Sequence, residues 1–367
     1  MQTLTLRPSF LPPTTDIFIG KHILKTGKLK AFCKSLGTKS VIISDAHVGK
    51  LYGNALAKSL QAELIIIPDG EIAKTKETQE LLMQTLFQMH CGKDTVLIAL
   101  GGGITTDLVG FVSSIYKRGV PLILIPTTLL AIVDAAIGGK TAINTPFGKN
   151  LIGTLYHPKA IFADLATLST LSEKEWMNGV SEILKLGLIF DAELWDEAKK
   201  NLKNPQLILR AMQGKITIVE QDPWDKSIRH ILNFGHTIGH GLELISEYQM
   251  AHGEAVALGS VIESHLSMRL GFLSLQDFTN IHHMYQPFHL KLPLSYTREK
   301  FLQALLQDKK KKGNEIRFVC IDQIGHAVSF DNRYCRAVNA QELESTLLWM
   351  EKNYGAALHK QLEESRA

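Results

Sequence analysis

The stretch TVLIALGGGITTDLVGFVSSIY (Thr95–Tyr116) reads as a strand, a turn and a helix in succession. Thr95–Leu100 is a short apolar run that ends at Gly101-Gly102-Gly103, and beyond the glycines the pattern turns helical through Phe111 to Tyr116. A strand that leads through a tight turn into a helix is the unit from which parallel sheets are built. Similar runs lie on both sides: SVIIS (Ser40–Ser44) and LIII (Leu64–Ile67) before it, and LILI (Leu122–Ile125) after it. A helical pattern over Thr78–His90 separates two of them, with Leu81, Leu82, Leu86 and Met89 on one side. Residues 1–165 are therefore predicted to form an α/β domain, a doubly wound parallel sheet with helices on both faces.

Ligands of such sheets bind beyond the carboxyl ends of the strands. Four ends carry suitable groups. Ser44-Asp45 offers a carboxylate for ribose hydroxyls. Asp69-Gly70-Glu71 is followed by Lys74 one turn on. Gly101–Gly103 lets backbone approach a pyrophosphate at a helix N-terminus. Thr127-Thr128 offers two hydroxyls. The dinucleotide fingerprint GxGxxG is not met, because position 106 is threonine. In DAAIGGKTAINTPFGKN (Asp134–Asn150), GGKT resembles the end of a phosphate loop, but Asp134 occupies the first glycine's place, which argues against an NTPase. Lys140, Lys149 and Asn150 are expected in a glycine-rich loop that shapes a site. Together these signals point to a nucleotide site.

After about Asp164 the texture changes. Helical periodicity covers Ser172–Leu188, Pro205–Gln221, Ser227–Ser246, Gly253–Leu270, Thr297–Leu306 and Ala340–Lys352. Residues 166–367 are thus predicted to be a mainly α-helical domain, with the active site expected between the two domains. A weak strand pair is expected at Ile316–Ile321 and His326–Phe330. Within Ser227–Ser246, Arg229, Asn233, His236 and His240 fall four, three and four apart, one stripe of a continuous helix. Solvent faces usually carry Lys, Glu and Gln, whereas this stripe carries residues suited to ligands and metals. HTIGH lacks the glutamate of the zinc-protease motif. An open three-donor metal site would need another ligand, and His236, His240, His252 and Glu182 all qualify on spacing. The residues by themselves reach a dinucleotide- and metal-dependent enzyme with a cationic pocket, and no substrate.

Composition excludes other classes. The net charge of +4 over 367 residues is too small for a nucleic-acid-binding face. The four cysteines are scattered with no CxxC pair, as in a reducing compartment. The N-terminal MQTLTLRPSFLPPTTD has no secretory pattern, and no apolar run is long enough to span a bilayer. A cytoplasmic enzyme is expected.

From about Asp45 to Lys310 the chain resembles the 3-dehydroquinate synthases. The resemblance is carried by PTTLLAIVDAAIGGKTAIN (Pro126–Asn144), GKNLIG (Gly148–Gly153), RHILNFGHTIGH (Arg229–His240) and HGEAVALG (His252–Gly259), in order and at family spacing. It implies a divalent metal, zinc or cobalt, on Glu182, His236 and His252. It implies NAD at Asp45, at Asp69, Gly70, Glu71 and Lys74, at Gly103, Ile104, Thr105, Thr106 and Asp107, and at Thr127 and Thr128. Further NAD contacts fall on Lys140, Lys149, Thr167, Leu168, Ser169 and Thr170. Substrate contacts fall on Asp134, Lys140, Asn150, Lys185, Lys215, Arg229, Asn233 and His240, with one of Lys309 and Lys310. Arg118 matches an arginine that reaches the neighbouring subunit's phosphate site, which implies a homodimer.

The implied reaction converts 3-deoxy-arabino-heptulosonate 7-phosphate to 3-dehydroquinate and phosphate, by transient oxidation, phosphate elimination, re-reduction and aldol closure. Two departures stand out. Thr106 replaces a family glycine, and DPWDKSIR (Asp222–Arg229) replaces a DExExGLR-like stretch, with Asp225 where glutamate is expected. The rival readings are another sugar phosphate cyclase, a polyol dehydrogenase and a non-enzymatic binding protein. The lysine set argues against the dehydrogenase, and the complete ligand and lysine set against the binding protein.

Overall fold

The computed structural model describes residues 13–307, 315–331 and 333–355. They divide into two compact units. One comprises the chain up to Thr127 together with Gly138–Thr170. The other comprises Thr128–Ile137 and the chain from Leu171 onward.

The first unit is built on a six-stranded sheet. Its strands are β1 (Asp16–Gly20), β2 (Lys39–Asp45), β3 (Glu63–Ile67), β4 (Thr95–Gly101), β5 (Leu122–Pro126) and β8 (Ala160–Asp164), in the order β1-β8-β5-β4-β2-β3. Every neighbouring pair is parallel. Every residue of β4, β5 and β8 is buried, as in a sheet covered on both faces. Ile42, Val96, Ile98, Leu100, Ile123, Ile125 and Phe162 share one core with Leu29 and Cys33. Each large side chain buried there stabilises the fold by about 1.5–3 kcal/mol. After β3 the chain crosses to the other side of β2, so the strand order reverses between β2 and β4. Their carboxyl ends hold Asp45 and Gly101, and Gly103–Ile115 (α1) leads away from the latter. β1 and β8 add two strands to those read from sequence.

The expected glycine-rich loop is instead an antiparallel hairpin of β6 (Lys140–Thr145) and β7 (Gly148–Leu155). The Thr141 hydroxyl donates to the Thr154 carbonyl at 2.9 Å, a pairing that helix propensity could not signal.

The second unit is mostly helical. Its main members are α2 (Glu173–Ile189), α3 (Pro205–Gln221), α4 (His236–Ile245) and α5 (His252–Arg269). Helix α5 is buried without interruption from Ala255 to Ser267, so it forms the unit's core. Two expectations are corrected here. Ile316–Phe318 pairs with Arg336–Val338, and only Ile321–Gln323 pairs with His326–Ala327, because the first segment splits into two strands with different partners. Ser227–Ser246 is not one helix. A 3-10 turn over Ile228–Asn233 ends at Phe234, and α4 starts anew at His236. The break is Gly235, at φ 78°, where an added Cβ would lie 2.5 Å from Ser260 Oγ. Among the described residues no helix is long and apolar enough to cross a membrane.

Candidate active site

Helix α2 carries Glu182, with Lys185 one turn on and ion-paired to it. Both residues are buried. Helix α5 begins against α2: a Cβ on Gly253 would lie 2.3 Å from the Asn178 Cα. That approach brings His252, the first residue of α5, to Glu182, with Nε2 3.5 Å from Oε1. His236, the first residue of α4, places its Nε2 3.7 Å from the same oxygen. These separations are too long for good hydrogen bonds, and apart from the Lys185 ammonium at Oε2 the buried Glu182 carboxylate has no hydrogen-bond partner. Glu182, His236 and His252 each offer a ligand atom, all within 4.8 Å of one another, and are the one such group among the described residues. A carboxylate oxygen and two imidazole nitrogens suit a borderline divalent cation.

The outer ring nitrogens face acceptors. His236 Nδ1 lies 3.1 Å from the Phe234 carbonyl, and His252 Nδ1 lies 3.4 Å from Glu243 Oε2. A proton held there leaves the Nε2 lone pair pointing inward. Burial and the nearby Lys185 ammonium push His236 down to about 3. Burial also opposes charge on His252, but the carboxylates of Glu182 and Glu243 outweigh it and push the ring up to about 10. Burial would raise Glu182, yet Lys185 and the two imidazoles hold it well below the usual carboxylate range.

Of the proposed stripe, the structure gathers the histidines. The His240 ring lies 5.3 Å from that of His236 and 6.4 Å from that of His252. The break at Gly235 sets Arg229 and Asn233 on a separate turn, Arg229 buried and Asn233 exposed. Asp222 caps this turn by accepting from the backbone N–H groups of Lys226, Ser227 and Arg229. Asp222, the residue that DPWDKSIR shares with the DExExGLR-like stretch, thus holds the backbone at Arg229 in place. Lys215 of α3 donates to the Asp134 carbonyl at 2.6 Å and pairs with its carboxylate. Burial and the nearby Glu182 would raise the Asp134 carboxyl, and Lys215 together with Lys185 holds it below its ordinary value. Lys185, Lys215 and Arg229 are all buried cations of this unit.

In the sheet unit the nucleotide candidates gather at the strand ends. Asp45 accepts from Val48 N at 2.8 Å and from Thr105 Oγ1 at 3.3 Å, bridging the β2 and β4 ends. Asp69 accepts from His47 N, and Glu71 from Asn144. Buried Lys74 donates to Asp107 at 2.5 Å and to Asn150 at 2.6 Å. Lys149 lies 3.8 Å from Glu71. Thr106 is buried and bonds back to the Gly103 carbonyl at 3.0 Å, so its side chain does not obstruct the turn. Gly103 and Ile104 open α1, and Lys140 opens β6. Thr127 is buried with an unpartnered hydroxyl, and Thr128, the first residue of the other unit's Thr128–Ile137 segment, caps the turn after it by accepting from Ala131 N. Thr167, Leu168, Ser169 and Thr170 lie in a 3-10 turn, with Thr170 2.7 Å from Tyr52 Oη. Arg118 is exposed and left-handed, at φ 63°. Lys309 and Lys310 lie outside the described residues.

Sequence reasoning passed over Asp222, Glu243 and Glu263. Glu243 follows His240 by three residues, and Glu263 is a carboxylate inside an apolar run; both were legible signals.

Residues 64–178 match the family model described as 3-dehydroquinate synthase N-terminal, and 179–311 the one described as 3-dehydroquinate synthase C-terminal. A 3-dehydroquinate synthase of Thermodesulfovibrio yellowstonii is 41% identical over 308 residues, covering 79% of this chain and 86% of that protein. One from Campylobacter concisus is 42% identical over 298 residues, covering 78% and 86%. Among solved structures, 2-epi-5-epi-valiolone synthase from Streptomyces hygroscopicus, with NAD+ and Zn2+ bound, is 28% identical at a TM-score of 0.84, covering 95% of this chain and all of that one. A probable glycerol dehydrogenase from Sinorhizobium meliloti shares the fold alone, at 14% identity and a TM-score of 0.62.

Proposed function

The chain belongs to the 3-dehydroquinate synthase family, and from that premise we propose how its residues perform the cyclisation of 3-deoxy-arabino-heptulosonate 7-phosphate to 3-dehydroquinate and phosphate. The observation that carries the reading is the Glu182–His236–His252 cluster, its carboxylate buried and its two imidazoles partly exposed, in a unit that also buries Lys185, Lys215 and Arg229. Cations held in a low-dielectric interior attract a substrate bearing both carboxylate and phosphate. The sheet unit is the NAD-binding domain and the helical unit the metal- and substrate-binding one.

When bound, NAD would supply the hydride acceptor and donor for oxidation and re-reduction at C5, and the divalent metal would supply Lewis acidity there. Glu182, His236 and His252 hold the metal. His240, beside that cluster, takes the proton from the C5 hydroxyl. With C5 a ketone, the C6 proton becomes acidic; its transfer to a phosphate oxygen of the substrate forms the C6–C7 double bond as the C7–O bond breaks and phosphate leaves with that electron pair. Lys140, Lys185, Lys215 and Asn150 bind the anionic groups, and Asp134 orients Lys215. Arg229 and Asn233 fix the carboxylate and ring hydroxyls, the guanidinium by charge-assisted bonds. Holding one ring through successive steps removes much of the entropic part of each barrier. Asp45, Asp69, Gly70, Glu71, Lys74, Lys149, the Gly103–Asp107 turn, Thr127, Thr128 and the Thr167–Thr170 turn bind NAD. One of Lys309 and Lys310 joins the substrate contacts.

The enzyme is proposed to act as a homodimer in the cytoplasm, with Arg118 reaching the partner's phosphate site. The exposed edge of β7 and the exposed Phe147, Leu151 and Ile152 support a second copy as the neighbour. The test of the activity is product identity: nuclear magnetic resonance of the reaction mixture should give one dehydroquinate per phosphate. Phosphate release with a different carbocycle would overturn the assignment.

Metal uptake should depend on pH. His252 is protonated at neutral pH in the metal-free protein, whereas His236 is neutral and Glu182 ionised. A metal needs the unprotonated imidazole, so binding displaces one proton. Affinity should rise roughly tenfold per pH unit from neutral pH toward about 10. Calorimetric titrations in buffers of different ionisation enthalpy count the proton, and a count of zero would contradict the assignment.

A further inference from the structure

We propose that helices α4 and α5 each hold the other's histidine in place: Glu243 of α4 is the positioning residue for His252 of α5, and Glu263 of α5 is the positioning residue for His236 of α4. The inference rests on the reading of Glu182, His236 and His252 as metal donors.

The first half is direct. Glu243 is buried, and its Oε2 lies 3.4 Å from Nδ1 of His252 while Nε2 of that ring faces Glu182 at 3.5 Å. A neutral imidazole has one N–H to place. The carboxylate attracts it to Nδ1, which leaves the Nε2 lone pair toward the metal donors.

The second half acts through a peptide plane. Gly235 is the N-cap residue of α4. An N-cap side chain ordinarily accepts from the N–H of the third helical residue, and glycine has none. Any side chain at 235 would collide with Ser260, and one at Gly259 would lie 1.9 Å from the Gly235 carbonyl oxygen. The two helices therefore meet backbone to backbone, and the cap comes from across that contact. Glu263, fully buried, accepts from Ile238 N at 3.2 Å through Oε1 and from Gly235 N at 2.8 Å through Oε2. The Gly235 N–H and the Phe234 carbonyl belong to one planar peptide unit. Fixing the N–H fixes the carbonyl, and the carbonyl is the acceptor for His236 Nδ1 at 3.1 Å. A carboxylate near a helix N-terminus is also favoured by the helix dipole.

The test is zinc affinity of the metal-free full-length protein, by competition with a chromophoric chelator, with circular dichroism as the check of folding. Glu243→Ala and Glu263→Gln should each weaken zinc binding about ten- to a hundredfold. The glutamine at 263 keeps one acceptor oxygen where two N–H groups need one each. Glu243→Gln should bind zinc at least as tightly as wild type, because its amide oxygen still accepts from Nδ1–H. If Glu263→Gln does not fold, Glu263→Asp, too short to reach both N–H groups, carries the same expectation. Folded Glu243→Ala and Glu263 variants that bind zinc like wild type, with only the melting temperature lowered, would overturn the proposal. So would a Glu243→Gln as weak as Glu243→Ala, since orientation would not then be the cause. Glu182→Ala separates the two levels: wild-type zinc affinity there would overturn the metal reading itself, and the positioning roles with it.

Discussion

Glu182→Gln should retain the fold and lose both metal and activity, with kcat/KM falling about a thousandfold or more, the scale of several kcal/mol of lost transition-state stabilisation. Glutamine keeps the shape of the buried side chain, and its carbonyl oxygen can still accept from Lys185. What it removes is the negative charge. In the wild type that charge faces Lys185 on one side and two imidazoles on the other. Without it, a divalent cation would enter a pocket whose nearest full charge is positive. Metal content after dialysis and phosphate release should fall together. Retention of both would contradict the role given to Glu182.

Arg118→Ala should raise KM about ten- to a hundredfold, as for loss of a hydrogen bond to a charged group, with NAD binding unchanged. Mixing it with Glu182→Ala should then restore activity that neither variant has to a comparable degree alone. If Arg118 acts in the partner's site, a mixed dimer contains one site with an intact Glu182 and an intact Arg118. If it acts within its own chain, every site in the mixture lacks one of the two. Arg118 is exposed and, with Lys117, sits in the left-handed region at φ 63° and 48°, a conformation that costs of order 1–3 kcal/mol and is maintained where presentation of a side chain matters. No gain on mixing would contradict the contact in trans.

How far the sequence could be read depended on how local each signal was. Strands β2 to β5 were legible because each is a continuous apolar run ended by turn residues, and such runs must be buried on both faces. DIFIG and AIFAD, the segments of β1 and β8, are equally apolar, but they pair with each other across more than half the unit, and nothing local announces that. The β6–β7 hairpin was hidden by its glycines. At the site, spacing made Arg229, Asn233, His236 and His240 look like one helical face. Gly235 breaks that helix, for a reason that lies in α5, where Gly259 and Ser260 leave no room for a side chain. The placing of His252 beside Glu182 has the same origin, the close approach of Gly253 to Asn178. Ligand identity was carried by the family resemblance. The positioning groups Glu243 and Glu263 required distances across a helix pair.

The most direct test of the account follows phosphate and NADH together, with the heptulosonate phosphate in excess, NAD substoichiometric and a divalent metal present. Phosphate release should run to completion with no lasting NADH absorbance, because the hydride returns to the same substrate that gave it. NADH accumulating in step with substrate consumed, with the phosphate ester intact, would make the protein a dehydrogenase and contradict the account.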